Sequence, residues 1–275
     1  MHLEGKICVI TGASSGIGKR LARDLAAQGA VVCAAARRED RLKELVGGLP
    51  AVAGGAHTYV VTDVSERDQV HRLAEHVSAT YGRCDVLVNN AGISGGRVFD
   101  GEEALDTLEK VFRTNFFGAA YCTASFLPLL ESSAPSHVVN IASIAGRVAF
   151  GNGAAYCGSK FALVGWSEAL YYDLKPKDIH VSLVEPGPIP TEGFPQTALI
   201  ESPVLRRALA GSGDVSRAVQ GVIKSKKMQR AVPRYYYLAS VLRLLAPPLF
   251  RFAAKRLASP NATAASSGPG SPSDD

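Results

Sequence analysis

Tyr156 and Lys160 are the two residues of this sequence whose types and spacing point most directly to chemistry. If the segment around them is helical, residues four positions apart lie on one face, so the ammonium lies beside the phenol. A positive charge there stabilises the phenolate and is expected to lower the tyrosine pKa from about 10 towards neutrality. Such a phenol exchanges a proton with a carbonyl or alcohol oxygen. Read alone, the same pair also fits a solvated helix.

Two further polar residues are candidates for the same site. Ser143 follows a strand predicted at His137–Ile141, where its hydroxyl would hydrogen-bond a substrate oxygen. Asn115 lies in a predicted helix, where its amide would hold a water that connects Lys160 with solvent. Together with the tyrosine and lysine, these residues favour the interconversion of carbonyls and alcohols.

A glycine-rich loop follows the first predicted strand, Ile7–Thr11, and leads into a predicted helix. Its glycines let the backbone approach a ligand closely, and the helix N-terminus offers N–H groups to a pyrophosphate. The spacing differs from the G-x-G-x-x-G fingerprint and also fits a tight strand-to-helix turn. Its position after the first strand is nevertheless where a doubly wound fold binds a dinucleotide. The predicted contacts are Gly12, Ser14, Ser15, Gly16, Ile17 and Gly18.

The end of the second predicted strand, Val31–Ala35, indicates which dinucleotide is bound. Arg37 and Arg38 stand where a carboxylate would bind the ribose 2′-hydroxyl of NAD, and the first acid is Glu39. A guanidinium instead suits a 2′-phosphate, because its fork donates two parallel hydrogen bonds. The sequence therefore predicts NADP(H) in preference to NAD(H), with a solvated pair of arginines at a helix start as the alternative.

Short apolar strands alternate with amphipathic helical segments along the chain, which predicts βαβ units and a parallel sheet. The strands are apolar throughout, as expected when both faces of the sheet are buried. The predicted fold is α/β: a single Rossmann-like doubly wound parallel sheet flanked by helices, with a C-terminal helical extension. The other predicted strands are His57–Val61, Asp85–Asn89, His137–Ile141 and His180–Glu185. The predicted helices include Gly18–Gln28, Arg38–Gly47, Glu66–Tyr81 and Ala154–Leu174.

Taken in order, these motifs resemble those of the classical short-chain dehydrogenase/reductase family, in its NADP-preferring branch. The resemblance covers roughly residues 5–195. Its elements are Thr11-Gly-Ala-Ser-Ser-Gly-Ile-Gly18, Asp63-Val64, Asn89-Asn-Ala-Gly92, Asn115, Ser143, Tyr156-x-x-x-Lys160 and Pro186-Gly-Pro-Ile-Pro-Thr191. Arg37 matches the position that marks the NADP-preferring branch, whereas Ser15 replaces a basic residue that some members carry in the glycine loop.

The resemblance also implies a role for each matching residue. Asp63 and Val64 would contact the adenine, and a wall beside the cofactor would be formed by Asn90, Ala91 and Gly92. The nicotinamide end would be held by Pro186, Gly187, Ile189 and Thr191. The catalytic tetrad would be Asn115, Ser143, Tyr156 and Lys160, of which Tyr156 and Lys160 would also bind the cofactor. A homodimer or homotetramer is implied as well.

Charge and composition divide the 275-residue chain. Of its 30 basic residues, ten lie in residues 215–273, which contain no acid, so the basicity is local and does not indicate nucleic-acid binding. The segment 233–257 mixes cations with apolar residues, which fits either interfacial helices on an anionic membrane surface or helices that cover the core or a subunit interface. We expect a dinucleotide-binding catalytic domain at 1–214, a basic, apolar helical extension at 215–258 and a disordered tail at 259–275.

Several classes of protein are disfavoured by the sequence. The five cysteines and six histidines form no metal-ligand motif, so no metal is expected. An odd number of cysteines without CxxC spacing favours a reducing, cytoplasmic compartment, with the protein peripheral at a membrane surface if the extension binds lipid. The sequence shows no signal-peptide pattern and no 18-residue apolar stretch, so neither a signal peptide nor an ordinary spanning helix is expected. Residues 192–213 mix apolar residues with prolines and fit either a mobile lid or a short surface helix.

The predicted function is that of an NADP(H)-dependent oxidoreductase acting on a hydrophobic ketone or secondary alcohol that is lipid-, steroid- or acyl-like. Apolar residues expected near the cleft favour this class: Val148, Phe150 and Phe194. One alternative is a 3-oxoacyl-[acyl-carrier-protein] reductase, whose acidic carrier the basic C-terminal end would receive. The other is a catalytically silent dinucleotide-binding sensor or scaffold.

Overall fold

A seven-stranded sheet forms the centre of the computed structural model, which describes residues 1–96, 98–190, 192 and 209–250. The strands are β1 (Ile7–Thr11), β2 (Val31–Ala36), β3 (Thr58–Val61), β4 (Val86–Asn89), β5 (Ser136–Ile141), β6 (Ile179–Pro186) and β7 (Gln229–Val232). They are ordered β3-β2-β1-β4-β5-β6-β7, and every neighbouring pair is parallel. Because the order reverses between β1 and β4, a crevice for a ligand opens beyond their carboxyl ends.

Helices cover both faces of this sheet. They are α1 (Gly16–Ala26), α2 (Glu39–Gly47), α3 (Arg67–Tyr81), α4 (Glu102–Phe112), α5 (Gly118–Ser132), α6 (Ala154–Leu174), α7 (Ser212–Ser225) and α8 (Tyr236–Leu245). Alternate residues of β1 face opposite layers: Cys8 and Ile10 pack with α1 and α7, whereas Ile7 and Val9 pack with α3 and α5. This burial on both sides explains why the strands are apolar throughout.

The predicted doubly wound fold is confirmed, and all six predicted strands are present with ends within one residue of those expected. Helix α6 has the predicted bounds, Ala154–Leu174. The helices predicted at Gly18–Gln28 and Glu66–Tyr81 are present as α1 and α3, with shifted ends.

The seventh strand was not predicted. Gln229–Val232 lies within the segment expected to be a helical extension, yet it pairs with β6 and extends the sheet. Its four residues carry little pattern of their own, so only the tertiary pairing identifies them as a strand. Helix α7, which packs against α1, spans the domain boundary expected at residue 214. Helix α8 fits the expected helical extension, while the tail expected at 259–275 lies outside the described residues.

A buried histidine lies near the amino ends of the strands, away from the glycine loop. His137, the second residue of β5, is 1% exposed, and its Nε2 lies 2.8 Å from Ser182 Oγ on β6. Burial, with a smaller contribution from the neighbouring His180, lowers the pKa of His137 to about 3. The folded protein therefore holds this imidazole neutral.

A neutral His137 predicts a loss of stability in mild acid. An unfolded histidine takes up a proton near pH 6.5, whereas folded His137 does so only near pH 3. Between these values the unfolded state binds more protons, so the free energy of unfolding falls as the pH drops, by about 2 kcal/mol from pH 6.5 to 5. Urea unfolding across this range should show a weaker pH dependence for His137→Asn than for the wild type. An unchanged slope would contradict the prediction; His71→Gln, at an exposed histidine, is the control.

Candidate active site

The glycine loop between β1 and α1 is packed directly against the segment that follows β4. Gly12 has a φ of +66°, and a Cβ there would lie 2.8 Å from Ala91 Cα. A Cβ on Gly18 would lie 2.4 Å from the Gly12 carbonyl oxygen and 2.6 Å from Asn90 Nδ2. That amide nitrogen donates to the carbonyl oxygen of Thr11 at 2.9 Å. Residues 12 and 18 therefore leave no room for a side chain, which is why glycine is needed at both.

A cavity of about 210 Å³ opens beside this loop, at the carboxyl ends of β2, β3 and β4. Its described lining consists of Gly12, Ser14, Ser15, Gly16, Ile17, Ala36, Arg37, Arg38, Thr62, Asp63, Val64, Asn90, Ala91, Gly92, Ile93 and Thr114. Ser15, the N-cap of α1, makes no side-chain bond to the first turn, so the helix N-terminus is left to a ligand. The cavity has the position and donors suited to the adenosine and phosphates of a dinucleotide.

The cavity gathers most of the residues predicted to bind cofactor, and Gly18 packs against two of its lining residues, Gly12 and Asn90. Four lining residues were not predicted: Ala36, Thr62, Ile93 and Thr114. Thr62 donates its N–H to the Ala36 carbonyl at 2.8 Å, which continues the pairing of β2 and β3 to the cavity rim. Ala36, Thr62 and Ile93 are each next to a predicted residue in a segment at or after a strand end. Their sequence positions could therefore have identified them as part of the lining.

Asp63 and Arg37 lie at the rim of the cavity. One carboxylate oxygen of Asp63 accepts from Ser65 N at 3.0 Å and from Ser65 Oγ at 2.8 Å, which fixes its orientation. Its other oxygen lies 3.8 Å from Arg37 Nη1. The Arg37 side chain is 65% exposed, so it is free to turn towards a bound anion.

Arg38, rather than Arg37, lies against the glycine loop. Its Nη2 donates to Ser15 Oγ at 2.8 Å and to Ser14 Oγ at 3.1 Å. The interpretation that Arg37 and Arg38 are merely solvated therefore does not describe Arg38. A guanidinium and two hydroxyls therefore meet beside the glycine loop, and such donors suit an anion.

The structure brings Tyr156, Ser143 and Lys160 together. Tyr156 lies in the first turn of α6, close enough to the Ser143 side chain for that hydroxyl to lower its pKa. Lys160 lies one turn further along, with its Nζ 5.8 Å from the centroid of the Tyr156 ring. Ser143 is held in turn, since its Oγ accepts from Ala145 N at 3.1 Å and lies 3.3 Å from the carbonyl oxygen of Pro186. The phenol and the serine hydroxyl are thus placed to share one substrate oxygen.

Asn115 lies in a π-helical turn, Arg113–Phe117, that joins α4 to α5. Its Nδ2 donates to Ser159 Oγ at 3.1 Å and to the Ile93 carbonyl at 3.0 Å, while its Oδ1 accepts from Ile93 N at 2.8 Å. The buried amide therefore ties the loop after β4 to α6, beside Lys160. A water link to Lys160 would use the second lone pair of Oδ1. Widened helical turns of this kind are frequent at functional sites.

The pKa of Tyr156 differs from the lowering that the sequence predicted, and the pKa of Lys160 is shifted as well. Burial lowers the pKa of Lys160 to about 8, and its Nζ donates to the Ile141 carbonyl at 2.9 Å. Burial raises the pKa of Tyr156 above its usual value, an effect that the nearby Ser143 hydroxyl opposes. The expected lowering of the tyrosine pKa is therefore wrong for this structure, because the effect of burial exceeds the opposing effect of Ser143.

The residues expected to hold the nicotinamide end follow β6 and adjoin α8. Pro186 ends β6 and accepts from Ser143, whereas Ile189 is buried in the apolar cluster around α1. A Cβ on Gly187 would lie 2.3 Å from the ring carbon Cε2 of Tyr236, so this aromatic ring packs on the glycine backbone. Thr191 lies outside the described residues.

Comparisons with known proteins match this geometry. Residues 6–198 fit the family model described as short chain dehydrogenase. The uncharacterized oxidoreductase YxnA of Bacillus subtilis (strain 168) is 38% identical over 193 residues, covering 69% of this chain but only 53% of that protein. The 11-beta-hydroxysteroid dehydrogenase 1A of Arabidopsis thaliana is 32% identical over 270 residues, or 93% of this chain and 76% of that protein. Farnesol dehydrogenase of Aedes aegypti is 34% identical over 224 residues, which cover 80% of this chain and 90% of that protein.

A solved structure shares the fold. The short-chain dehydrogenase/reductase of Burkholderia phymatum, crystallised in complex with NAD, superposes with a TM-score of 0.78 at 28% identity and covers 90% of this chain and 96% of its own. The sequence match extends over the glycine loop and the serine, tyrosine and lysine of the site. This chain therefore belongs to the short-chain dehydrogenase/reductase family of oxidoreductases.

Proposed function

We propose that this protein is an NADP(H)-dependent oxidoreductase that interconverts a hydrophobic ketone and its secondary alcohol. The observation that carries the proposal is the grouping of Tyr156, Ser143 and Lys160, with Lys160 Nζ 5.8 Å from the centroid of the Tyr156 ring and Ser143 held against the end of β6. Gly92 connects this group to the nucleotide-type cavity, because it lines the cavity and a Cβ on it would lie 3.6 Å from Lys160 Nζ. A silent sensor would have no use for a phenol and an ammonium arranged in this way.

The residues of the site divide the work of the reaction. A bound nicotinamide dinucleotide would supply the hydride to the substrate carbon, or accept it in the oxidative direction. Tyr156 would donate its hydroxyl proton to the carbonyl oxygen, or take the alcohol proton in reverse. Ser143 would hold that oxygen by a second hydrogen bond, which stabilises the negative charge developing on it.

Lys160 would support the phenolate that Tyr156 leaves after donating its proton. Its pKa of about 8 keeps the buried amine mostly protonated at neutral pH. The ammonium would then offset the burial that raises the tyrosine pKa. Asn115 would fix the spacing of α6 against the loop after β4, so that the ammonium stays beside the cavity.

Replacing Tyr156 by Phe should remove the proton donor without disturbing nucleotide binding. We expect kcat to fall by about 100-fold or more, in the range typical of losing a general acid. The dissociation constant for NADPH, measured by fluorescence titration, should change less than threefold. Tyr171→Phe removes a hydroxyl elsewhere on α6 and should leave both quantities unchanged. Undiminished turnover in the Tyr156 variant would exclude this mechanism.

Several observations support a hydrophobic substrate. Phe150 is more than half exposed and its ring packs over Gly153, directly before the helix that carries Tyr156. Val148, in the same segment, is partly exposed, whereas Phe194 lies outside the described residues. The names of two relatives, a farnesol dehydrogenase and a hydroxysteroid dehydrogenase, also fall in this substrate class.

A carrier-bound 3-oxoacyl substrate is the second candidate, and one feature favours it. Arg217, Arg230 and Arg234 line another cavity, of about 340 Å³, between α7 and the end of β7, where Arg217 is paired with Asp214. Arginines from three segments would suit the acidic surface of a carrier protein. Activity on a carrier-linked substrate that falls steeply with salt, together with no activity on free ketones, would favour this candidate.

The preference for NADP(H) is supported by Arg37 and Arg38 at the cavity. Titration of the wild type should give tighter binding of NADPH than of NADH. Arg38→Gln should weaken NADPH binding about tenfold, the value of a charge-assisted hydrogen bond, and NADH binding less than threefold. Arg72→Gln, on the exposed side of α3, is the control. Equal loss for both nucleotides would contradict a role at the 2′-phosphate.

Helix α8 supports association with a membrane surface through 233–257, of which 251–257 lie outside the described residues. One side of α8 is fixed to the body, since Tyr237 Oη lies 3.4 Å from Glu185 and the Arg243 guanidinium lies 4.9 Å from the Phe161 ring centroid. Leu238, Leu244 and Leu245 of the same helix are 71–80% exposed. Within the described part of the chain, no helix is both long and apolar enough to cross a bilayer. The exposed leucines of α8 lead us to propose that this enzyme rests on the bilayer surface.

Removing two exposed leucines should weaken that association. Leu244→Ser combined with Leu245→Ser deletes apolar area from α8 without touching the contacts that fix it. Co-sedimentation with vesicles containing anionic lipid should fall by about fivefold or more, because both side chains would be buried in the bilayer interface. Val61→Ser, at an exposed apolar residue of β3, is the control. Unchanged sedimentation would favour the alternative that α8 serves a protein interface.

We also propose a homodimer or homotetramer. Phe117 is 42% exposed and stacks on Tyr121, and Tyr172 of α6 is exposed as well. These aromatic rings on the π-helical turn, α5 and α6 would form the apolar part of a subunit interface.

A further inference from the structure

Glu192 places its carboxylate between two arginines at the start of α2. Arg38 Nη1 donates to its Oε1 at 2.9 Å, and Arg41 donates to its Oε2. About 150 residues separate the glutamate from these partners, so the fold rather than the local sequence brings them together. The hydrogen bonds from Arg41 and Arg38 hold the pKa of Glu192 below its usual range, so the side chain is an anion at neutral pH.

Arg38 connects this ion pair to the nucleotide-type cavity. Its Nη2 donates to the hydroxyls of Ser14 and Ser15, while its Nη1 donates to Glu192. One guanidinium thus faces the glycine loop on one side and the carboxylate on the other. A guanidinium fork, a second arginine and neighbouring hydroxyls are the donors that bind phosphate in proteins. The two carboxylate oxygens of Glu192 accept hydrogen bonds from Arg38 and Arg41, as two oxygens of a phosphate would.

We propose that Arg38 and Arg41 form an anion subsite at the ribose end of the cleft, that Glu192 occupies it in the free protein, and that an adenosine 2′-phosphate takes its place. This inference rests on the proposed function, because it assumes that the cleft binds an adenosine nucleotide. A nucleotide with a 2′-phosphate must displace the carboxylate, whereas one with a free 2′-hydroxyl leaves it in position. Glu192 is then a specificity-determining residue that reduces the discrimination between NADP(H) and NAD(H).

The size of the effect follows from the exposure of the three side chains. Arg38, Arg41 and Glu192 are each between one third and about half exposed, so water screens their attraction. Exposed pairs of this kind change an equilibrium by a few-fold each. Removing the carboxylate should therefore tighten binding of a 2′-phosphate by about three- to tenfold, and added salt should reduce the difference.

Two nucleotides that differ only in the 2′-phosphate isolate this subsite: adenosine 2′,5′-bisphosphate and adenosine 5′-monophosphate. Neither carries a nicotinamide, so calorimetric titration reports binding without turnover. Glu192→Gln should tighten the bisphosphate about three- to tenfold and change the monophosphate less than twofold. Glu39→Gln removes the same charge from the start of α2, where Glu39 is paired with Lys43 instead. This control should raise the ratio of the two affinities less than twofold.

A second variant tests the arginine directly. Arg41→Gln should weaken the bisphosphate severalfold and leave the monophosphate unchanged, and it should reduce the gain from Glu192→Gln when the two are combined. The subsite would be overturned if Glu192→Gln left the ratio of bisphosphate to monophosphate affinity unchanged, or if Glu39→Gln changed that ratio equally. Either result would leave the proposed function intact. If neither nucleotide binds to the wild type, the proposed function fails and the subsite fails with it.

Discussion

The contact between the glycine loop and Asn90 is the constraint on which the rest of the site depends. The side chain of Asn90 donates to the Thr11 carbonyl, and its backbone N–H donates to Thr11 Oγ1, so β1 and β4 remain joined beyond the point where their ladder ends. Gly12 and Gly18 let the two segments meet at van der Waals distance. This closure shapes one wall of the cavity and directs the N-terminus of α1 into it.

The catalytic side is organised by buried amides and hydroxyls rather than by the apolar core. Asn115 ties the loop after β4 to α6 through Ile93 and Ser159, and Ser143 ties the end of β5 to the end of β6. Each tie joins segments that leave different strands, so the phenol, the serine and the lysine are positioned by the sheet as a whole. Buried polar networks of this kind hold one geometry, because any rearrangement would leave polar groups unpaired.

Much of this arrangement could be predicted from the sequence because it depends on local patterns. Apolar runs located six strands, and the spacing of Tyr156 and Lys160 predicted a shared helical face. Features that depend on tertiary contacts were missed: β7 exists through its pairing with β6, and the π-helical turn around Asn115 has no sequence signature. The predicted lowering of the Tyr156 pKa was wrong, because the spacing of two residues in a sequence does not show how deeply the phenol is buried.

Residues beyond the catalytic core are joined to it by the chain that leaves β7. Gly187 N donates to the Val232 carbonyl at 2.8 Å, and the Tyr236 ring of α8 rests on the Gly187 backbone. Helix α8 therefore packs directly on the segment after β6, so that a tilt of the helix would press on Gly187. A surface that holds the exposed leucines of α8 would therefore also constrain the segment after Pro186. The carbonyl of Pro186 is the group that accepts the hydrogen bond from Ser143.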